Sequence, residues 1–504
     1  MRSIDRRTLL RGGLGLVGAA ALTACTTRRA EVPSAFVSPN GAEVRAAEAR
    51  RRPGAIREFH LTAAERQVDL GGTTVSTWTY GEQVPGAQIR VTAGEVVRAR
   101  LSNRLPADTS IHWHGLALRN DADGVPGVTQ QPIKPGTEFV YEFTAPDPGT
   151  YWFHPHSGIQ LDRGLYAALI VEDPREPLGY DAEWVVVLDD WLDGVSGTPD
   201  EVLAGLTGGS GMDHGAMPGM GGTPSPGTTG DHMLMGARSL LLGGDAGDVR
   251  YPHFLLNGRL PGAPDVLRAK PGTRLRIRLI NAAGDTAFRV ALAEHRLTVT
   301  HTDGFATEPL EVDTVLIGMG ERYDVLVTLN DGVFPLVAQA EGKGAAARGL
   351  IRTGKAAAPP IDARPAELDG AIARYARLRP APAVRLAQQA TDRTIKLELT
   401  GGMMRYDWGF NGRRYDPKVI HTIRSGERVR LSLVNRTTMW HPIHLHGHTF
   451  ALAATGLRKD TVNVLPNQSV EVDFAADNPG LWMLHCHNIY HAEAGMMTLI
   501  GYQT

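Results

Sequence analysis

Ten of the chain's eighteen histidines fall in four short clusters, two toward the front and two toward the back. They are His112-Trp113-His114, His154-Pro155-His156, His441-Pro442-Ile443-His444-Leu445-His446 and His485-Cys486-His487, the last running on to His491 and Met496. Imidazole, thiolate and thioether together suit copper better than other common biological metals, so the clusters predict redox chemistry at several bound copper ions. Along a strand, residues i and i+2 face one way and i+1 the other. His485 and His487 therefore point to one side and Cys486 to the opposite side. One strand thus offers a thiolate to its own domain and two imidazoles to a neighbour. Cys486, His491 and Met496 share a strand–loop–strand corner. Adding His441 gives two histidines, a cysteine and a weak axial methionine, the donor set of a blue-copper electron-transfer site. The other eight histidines form His-x-His pairs at 112/114, 154/156, 444/446 and 485/487. Facing one another across a domain interface, they can enclose a cluster of several coppers. A single pair is weak evidence, because strand histidines are often structural; four pairs beside a cysteine corner are strong evidence.

Both ends of the chain must then be brought together by the fold. A length of 504 residues exceeds what one hydrophobic core can serve and points to three domains. Abundant Gly and Pro with few aromatics favour short strands and many turns. A repeat supports the count: Val91-Thr-Ala-Gly94 through Asn103 is echoed by Ala269-Lys-Pro-Gly272 through Asn281 and by Ile423-Arg-Ser-Gly426 through Asn435. In each copy a turn glycine precedes an alternating apolar/polar run that ends in Asn, the pattern of a half-buried strand. Copies so far apart mean repeated domains and not a solenoid. A second echo joins only the outer copies: Pro148-Gly149 leads to His154 and His156, as Pro479-Gly480 leads to His485 and His487. The middle copy reads Asp331-Gly332-Val-Phe-Pro-Leu-Val337, without histidine. The expected division is a first domain over 51–178, a second over 179–358 that holds no copper centre, a connector over 359–384 and a third domain over 385–504. Helix should be scarce, with Ala363–Arg379 the one candidate.

Residues 207–236 are so rich in Gly that they cannot build a core, and they read as a surface loop. Five of the thirteen methionines lie there, and Met212, His214, Met217, Met220, His232, Met233 and Met235 are soft donors appropriate to Cu(I). The near-neutral formal charge of −2 gives no sign of a nucleic-acid partner. Residues 1–24 read as an export signal: Arg6-Arg7 is a twin-arginine pair, and the apolar run from Leu14 to Ala24 is too short to span a bilayer. Leu22-Thr23-Ala24-Cys25 resembles a bacterial lipoprotein cleavage box, with Cys25 the lipidated residue and 25–50 a flexible tether. Membrane contact is then expected only through that lipid, on the outer face of the cytoplasmic membrane. With Cys25 lipidated and Cys486 on metal, no disulfide remains.

Over essentially the whole mature chain the four clusters resemble the copper-binding signatures of multicopper oxidases, the family of laccases, cuprous oxidases and ceruloplasmin. The resemblance implies an all-β chain of three cupredoxin-like Greek-key barrels carrying four coppers. Type 1 copper takes His441, Cys486, His491 and Met496; type 2 copper takes His112 and His444. The type 3 pair takes His114, His154, His156, His446, His485 and His487. It further implies that electrons enter at the type 1 site and that O2 is reduced to water at the cluster. Asp123 matches a family acid of the proton relay. A second acid, found in cuprous oxidases just after the type 1 histidine, is replaced by Ala492, and strand alternation aims Glu493 elsewhere. Cu(I) is the favoured donor, phenols and aromatic amines the alternative. A protein that sequesters copper without catalysis is the reading from another class. Since both halves of the cluster come from one chain, a monomer is expected to suffice. The histidines outside these motifs, at 60, 253, 295, 301, 421 and 448, are expected to be structural or on the surface.

Overall fold

In the computed structural model, residues 35–208 and 232–504 are described. They fold into three all-β units, each a pair of facing sheets. In the first, strands Thr74–Tyr80, Ile56–Asp69, Val96–Asn103 and Glu138–Thr144 lie side by side. They face Ile89–Thr92, Ala167–Glu172, Gly149–His154 and His112–His114. The same plan recurs twice. Ile56–Asp69 runs parallel to Val96–Asn103, as Ala182–Trp191 does to Arg274–Asn281 and Arg393–Thr400 to Arg428–Asn435. The repeat seen in the sequence is the third of these strands in each unit. Its glycine has φ of +89° at Gly94, +82° at Gly272 and +88° at Gly426, a left-handed turn that a side chain would strain. Its terminal asparagine is a pin. Asn103 Nδ2 donates to Ala107 O and Ile133 O, Asn281 Nδ2 to Thr286 O and Ile317 O, and Asn435 Nδ2 to Met439 O and Val464 O. The pinned chain in the first and third units runs directly into His112 and His441.

Burial follows the strand pattern. Val97, Ala99 and Leu101 line the first core, and Leu275, Ile277 and Leu279 the second. The second and third domains share one continuous apolar core, while Trp152, Trp191 and Leu255 weld the first domain to the second. The units are therefore locked at their interfaces, and the histidine-bearing edges meet in a fixed geometry.

Three sequence expectations need correction. Residues 36–50 are not a free tether: Val37 N donates to Tyr502 O, and the helix Ala42–Arg50 buries Val44 and Ala47. Glu48 Oε1 on that helix accepts from the backbone and hydroxyl of Thr144. The helix expected over Ala363–Arg379 is a 3-10 turn at Ala366–Asp369 followed by strand Ile372–Ala373, which pairs with Thr314 and Val315 of the second domain. Pro365 in front and Gly370 behind prevent its extension, so this connector is partly an edge of the second sheet. Of the loop expected over 207–236, Thr207 and Gly208 belong instead to the helix Pro199–Gly208. At its far end Met233 bridges to Val249, and Arg250 N donates to His232 O. Cys25, Met212, His214, Met217 and Met220 lie outside the described residues. Among the described residues no helix is long and apolar enough to cross a membrane.

Candidate metal centres

The first and third domains deliver all four histidine pairs to one buried seam. His112 is opposite His154 in the first sheet, and His444 is opposite His485 in the third. Across the seam His112 stacks on His446 with ring centroids 3.7 Å apart, and His114 on His444 at 3.8 Å. Ring nitrogens converge within 4.8 Å in the sets His112/His444/His446, His112/His114/His154 and His156/His446/His485. His487 completes the group, 5.0 Å from His114 and 5.4 Å from His154 between centroids. The two ends of the chain therefore do meet.

Six of the eight rings are steered by one nitrogen so that the other faces inward. Nδ1 donates to Asp123 O from His112, to Pro155 O from His154, to Asp460 O from His444 and to Cys486 O from His485. His446 Nδ1 lies 3.0 Å from the Asp123 carboxylate. His114 is turned the other way, with Nε2 3.2 Å from Asp460 Oδ1. The facing nitrogens are buried and have no partner: Nε2 of His112, His154 and His444, Nδ1 of His114 and both nitrogens of His487. Unpaired buried polar atoms are costly, and so many in one place fit a bound cation. Burial first, and then the neighbouring imidazoles, holds the rings of His154, His156, His446, His485 and His487 well below the usual histidine range. Neutral imidazole is the form a metal needs.

On the opposite face of the same strand, Cys486 Sγ lies 3.7 Å from His441 Nδ1 and from His491 Nδ1, and all three are buried. Met496 is tied into this corner by its backbone: its carbonyl accepts from Cys486 N, its amide donates to His491 O, and its side chain is fully buried. Burial pushes the Cys486 thiol far above its normal range, a proton that binding to a metal displaces. His441 Nε2 is held by Thr437 Oγ1 at 2.8 Å, and His491 Nε2 by Asp248 Oδ2 at 2.9 Å. Trp408 lies 4.3 Å from the His491 ring, and the Tyr406 hydroxyl donates to Asp248. Asp248, Tyr406 and Trp408 are all fully buried, so this centre has a lid of protein.

The expectation for Glu493 needs correction. Residues Ile489–Glu493 form a short helix capped by Asn488, not a strand, so alternation does not apply. Glu493 lines a small cavity with His154, His156, His485 and His487, and burial raises its carboxyl to about 7. It also borders a larger cavity of about 510 Å³ that reaches His156 from between the first and third domains. Asp248, Asp460, Tyr406 and Trp408 were not singled out by the sequence. Asp460 alone left a signal, the charged triplet Arg458-Lys459-Asp460 heading a buried strand.

Three buried-interface β domains joining a histidine cluster to a cysteine corner define a copper redox protein. Family profiles, each described as multicopper oxidase, match residues 62–176, 183–356 and 389–502. Multicopper oxidase MmcO of Mycobacterium tuberculosis is 46% identical over 99% of this chain and 97% of its own. A copper resistance protein A homolog of Pseudomonas syringae pv. tomato is 30% identical over 87% of this chain and 91% of its own. Laccase-2 of Cryptococcus neoformans is 26% identical over 94% and 87%. Among solved structures, a multi-copper oxidase from Pseudomonas thermotolerans superposes with a TM-score of 0.67 at 28% identity, covering 89% of this chain and all of that one. Fet3p, a multicopper oxidase that functions in iron import, shares the fold with a TM-score of 0.72 at 23% identity, over 89% and 90%. The chain belongs to the multicopper oxidase family. It is an oxidoreductase that binds copper of types 1, 2 and 3 and couples oxidation of a donor to O2.

Proposed function

We propose that His441, Cys486, His491 and Met496 hold the type 1 copper, and His112 and His444 the type 2 copper. His114, His154, His156, His446, His485 and His487 hold the type 3 pair. The unpartnered nitrogens of the cluster, aimed at one another, are the observation that carries this assignment. When bound, copper supplies the one-electron steps that link donor oxidation to four-electron reduction of O2 to water. The protein's part is positional. The backbone of Cys486 is continuous with His485 and His487, so the two centres are joined by covalent bonds while the donor stays apart from O2. Asp123 bonds His112 through its carbonyl and His446 through its carboxylate, and it is the acid we assign to proton delivery.

The donor we favour is Cu(I), in a copper-tolerance role. His491 is covered by Asp248, Tyr406 and Trp408, leaving no open slot for a bulky phenol against its edge, whereas a carboxylate on the imidazole suits approach of a small cation. The chain on which Asp248 lies is bonded to the far end of the Met/His segment, where Leu234 N donates to Asp248 O. Relatives named copper resistance protein A favour the same reading. The laccase relatives favour oxidation of phenols as the second reading. Turnover of Cu(I) and of a phenol, each with and without chelation of free copper, separates the two. Phenol oxidation that requires added Cu(II) supports the cuprous reading, and phenol oxidation indifferent to it supports the laccase reading. Export by the twin-arginine route with a lipid on Cys25 belongs to the same proposal. Cys25→Ser should release the protein from the membrane fraction.

A further inference from the structure

We infer that Arg322, in the domain without histidine ligands, is a positioning residue for the histidine cluster: through Asp460 it fixes which nitrogen of His114 faces the metal. The inference rests on the copper assignment above. Arg322 is fully buried. Its guanidinium grips the Asp460 carboxylate with both arms, at 2.8 Å and 2.5 Å, while Nε donates to Thr150 O and Nη1 also to Gly320 O. Three domains therefore meet on this one side chain. Held in this way, Asp460 offers Oδ1 to His114 Nε2 at 3.2 Å and its carbonyl to His444 Nδ1 at 3.0 Å. His112, His154, His444, His446 and His485 all turn Nδ1 outward. His114 alone among these six is turned by Nε2, and Nδ1 is its buried, unpartnered atom. Asp460 Oδ1, with the Thr461 hydroxyl 3.3 Å from the same nitrogen, makes the difference.

The backbone is thinned to admit the grip. A side chain at Gly115, where φ is +87°, would stand 2.3 Å from Arg322 Nη2 and 2.6 Å from Asp460 Oδ2. At Gly320, where φ is +82°, it would stand 2.7 Å from the His487 ring and 3.1 Å from that of His114. The second domain is thus in contact with the cluster. Behind Arg322 lies a closed set of charges: Lys459 Nζ is 3.0 Å from Asp303 and 2.9 Å from Glu321. Asp303 accepts from the backbone of Arg322, Asp460 and Thr461. Buried ion pairs contribute little net stability, and a planar fork that fits one carboxylate geometry is a device for orientation.

Arg322→Lys keeps a charge and removes the fork; Asp460→Asn keeps the shape and removes the anion. Both are compared with the parent by copper content, absorption and electron paramagnetic resonance of the isolated, copper-loaded protein. In both variants the blue band of the cysteine corner should stay at parent strength. The near-ultraviolet shoulder of the coupled pair should fall, the type 2 hyperfine splitting should shift, and copper affinity at the cluster should drop roughly 10–100-fold. Unchanged shoulder and splitting in both variants would overturn the inference. So would parallel loss of the blue band and the shoulder, which is what a merely structural role produces. A parent protein lacking the shoulder altogether would instead strike the copper assignment.

Discussion

The second domain and its two neighbours are built on one plan and do different work. All three end the repeated strand on an asparagine that pins two loops. All three then send the chain into a strand of the facing sheet. In the first domain that strand sets His112 opposite His154, in the third it sets His444 opposite His485, and in the second it sets Ala291 opposite Val337. The same positions are filled with imidazole where two domains face each other and with apolar packing where a domain faces itself. The fold supplies edges, and the interface supplies chemistry.

The comparison can be broken most directly at Cys486. Cys486→Ser should remove the copper of the corner and lower oxidase turnover by well over the roughly 10–100-fold typical of losing an outer-shell partner, with the histidine cluster still loading. Copper content and absorption check it. The corresponding blow in the second domain should cost stability and not metal. Phe288→Ala removes a fully buried ring and should destabilise by about 3–5 kcal/mol with copper content per folded chain unchanged, read by thermal unfolding and metal analysis. The second domain's buried charges sharpen the contrast through pH. Burial first, then the Arg276 guanidinium against the pull of Asp324, lowers His301 to about 4, while the unfolded chain titrates near 6.5. The unfolded state therefore takes up the proton first, so this contribution is complete above pH 6.5 and is lost as pH falls toward 4. His301→Gln should flatten that acid limb of the melting curve by up to about 3 kcal/mol. The smallest effect is expected at the lid. Asp248→Asn should slow oxidation of Cu(I) about tenfold while leaving the near-ultraviolet shoulder intact, measured by oxygen uptake.

Much of the site was legible in the sequence because its donors are rare residue types at strand spacing. His485, Cys486 and His487 announce two faces of one strand, and the structure puts them on those faces. The recurrent Gly and Asn announced the domains because a left-handed turn and a double amide pin each demand one residue type. Residues that act through long-range partners left little trace. Asp248, Asp460 and Arg322 are ordinary charged residues until the fold sets each beside a ring or a carboxylate more than a hundred positions away. Strand alternation fails at Glu493 because a five-residue helix, capped by Asn488, interrupts the strand it assumes. Ala363–Arg379 misled by composition, since Pro365 and Gly370 cut a run that otherwise favours helix.

The central claim is that both ends of one chain enclose a shared copper cluster wired to a single sulfur. Metal analysis of the purified holoprotein with its absorption spectrum tests this most directly. One copper is expected at the cysteine corner and three among the histidines, with an intense blue band and a near-ultraviolet shoulder. A colourless protein, or one that saturates with a single copper, would contradict it.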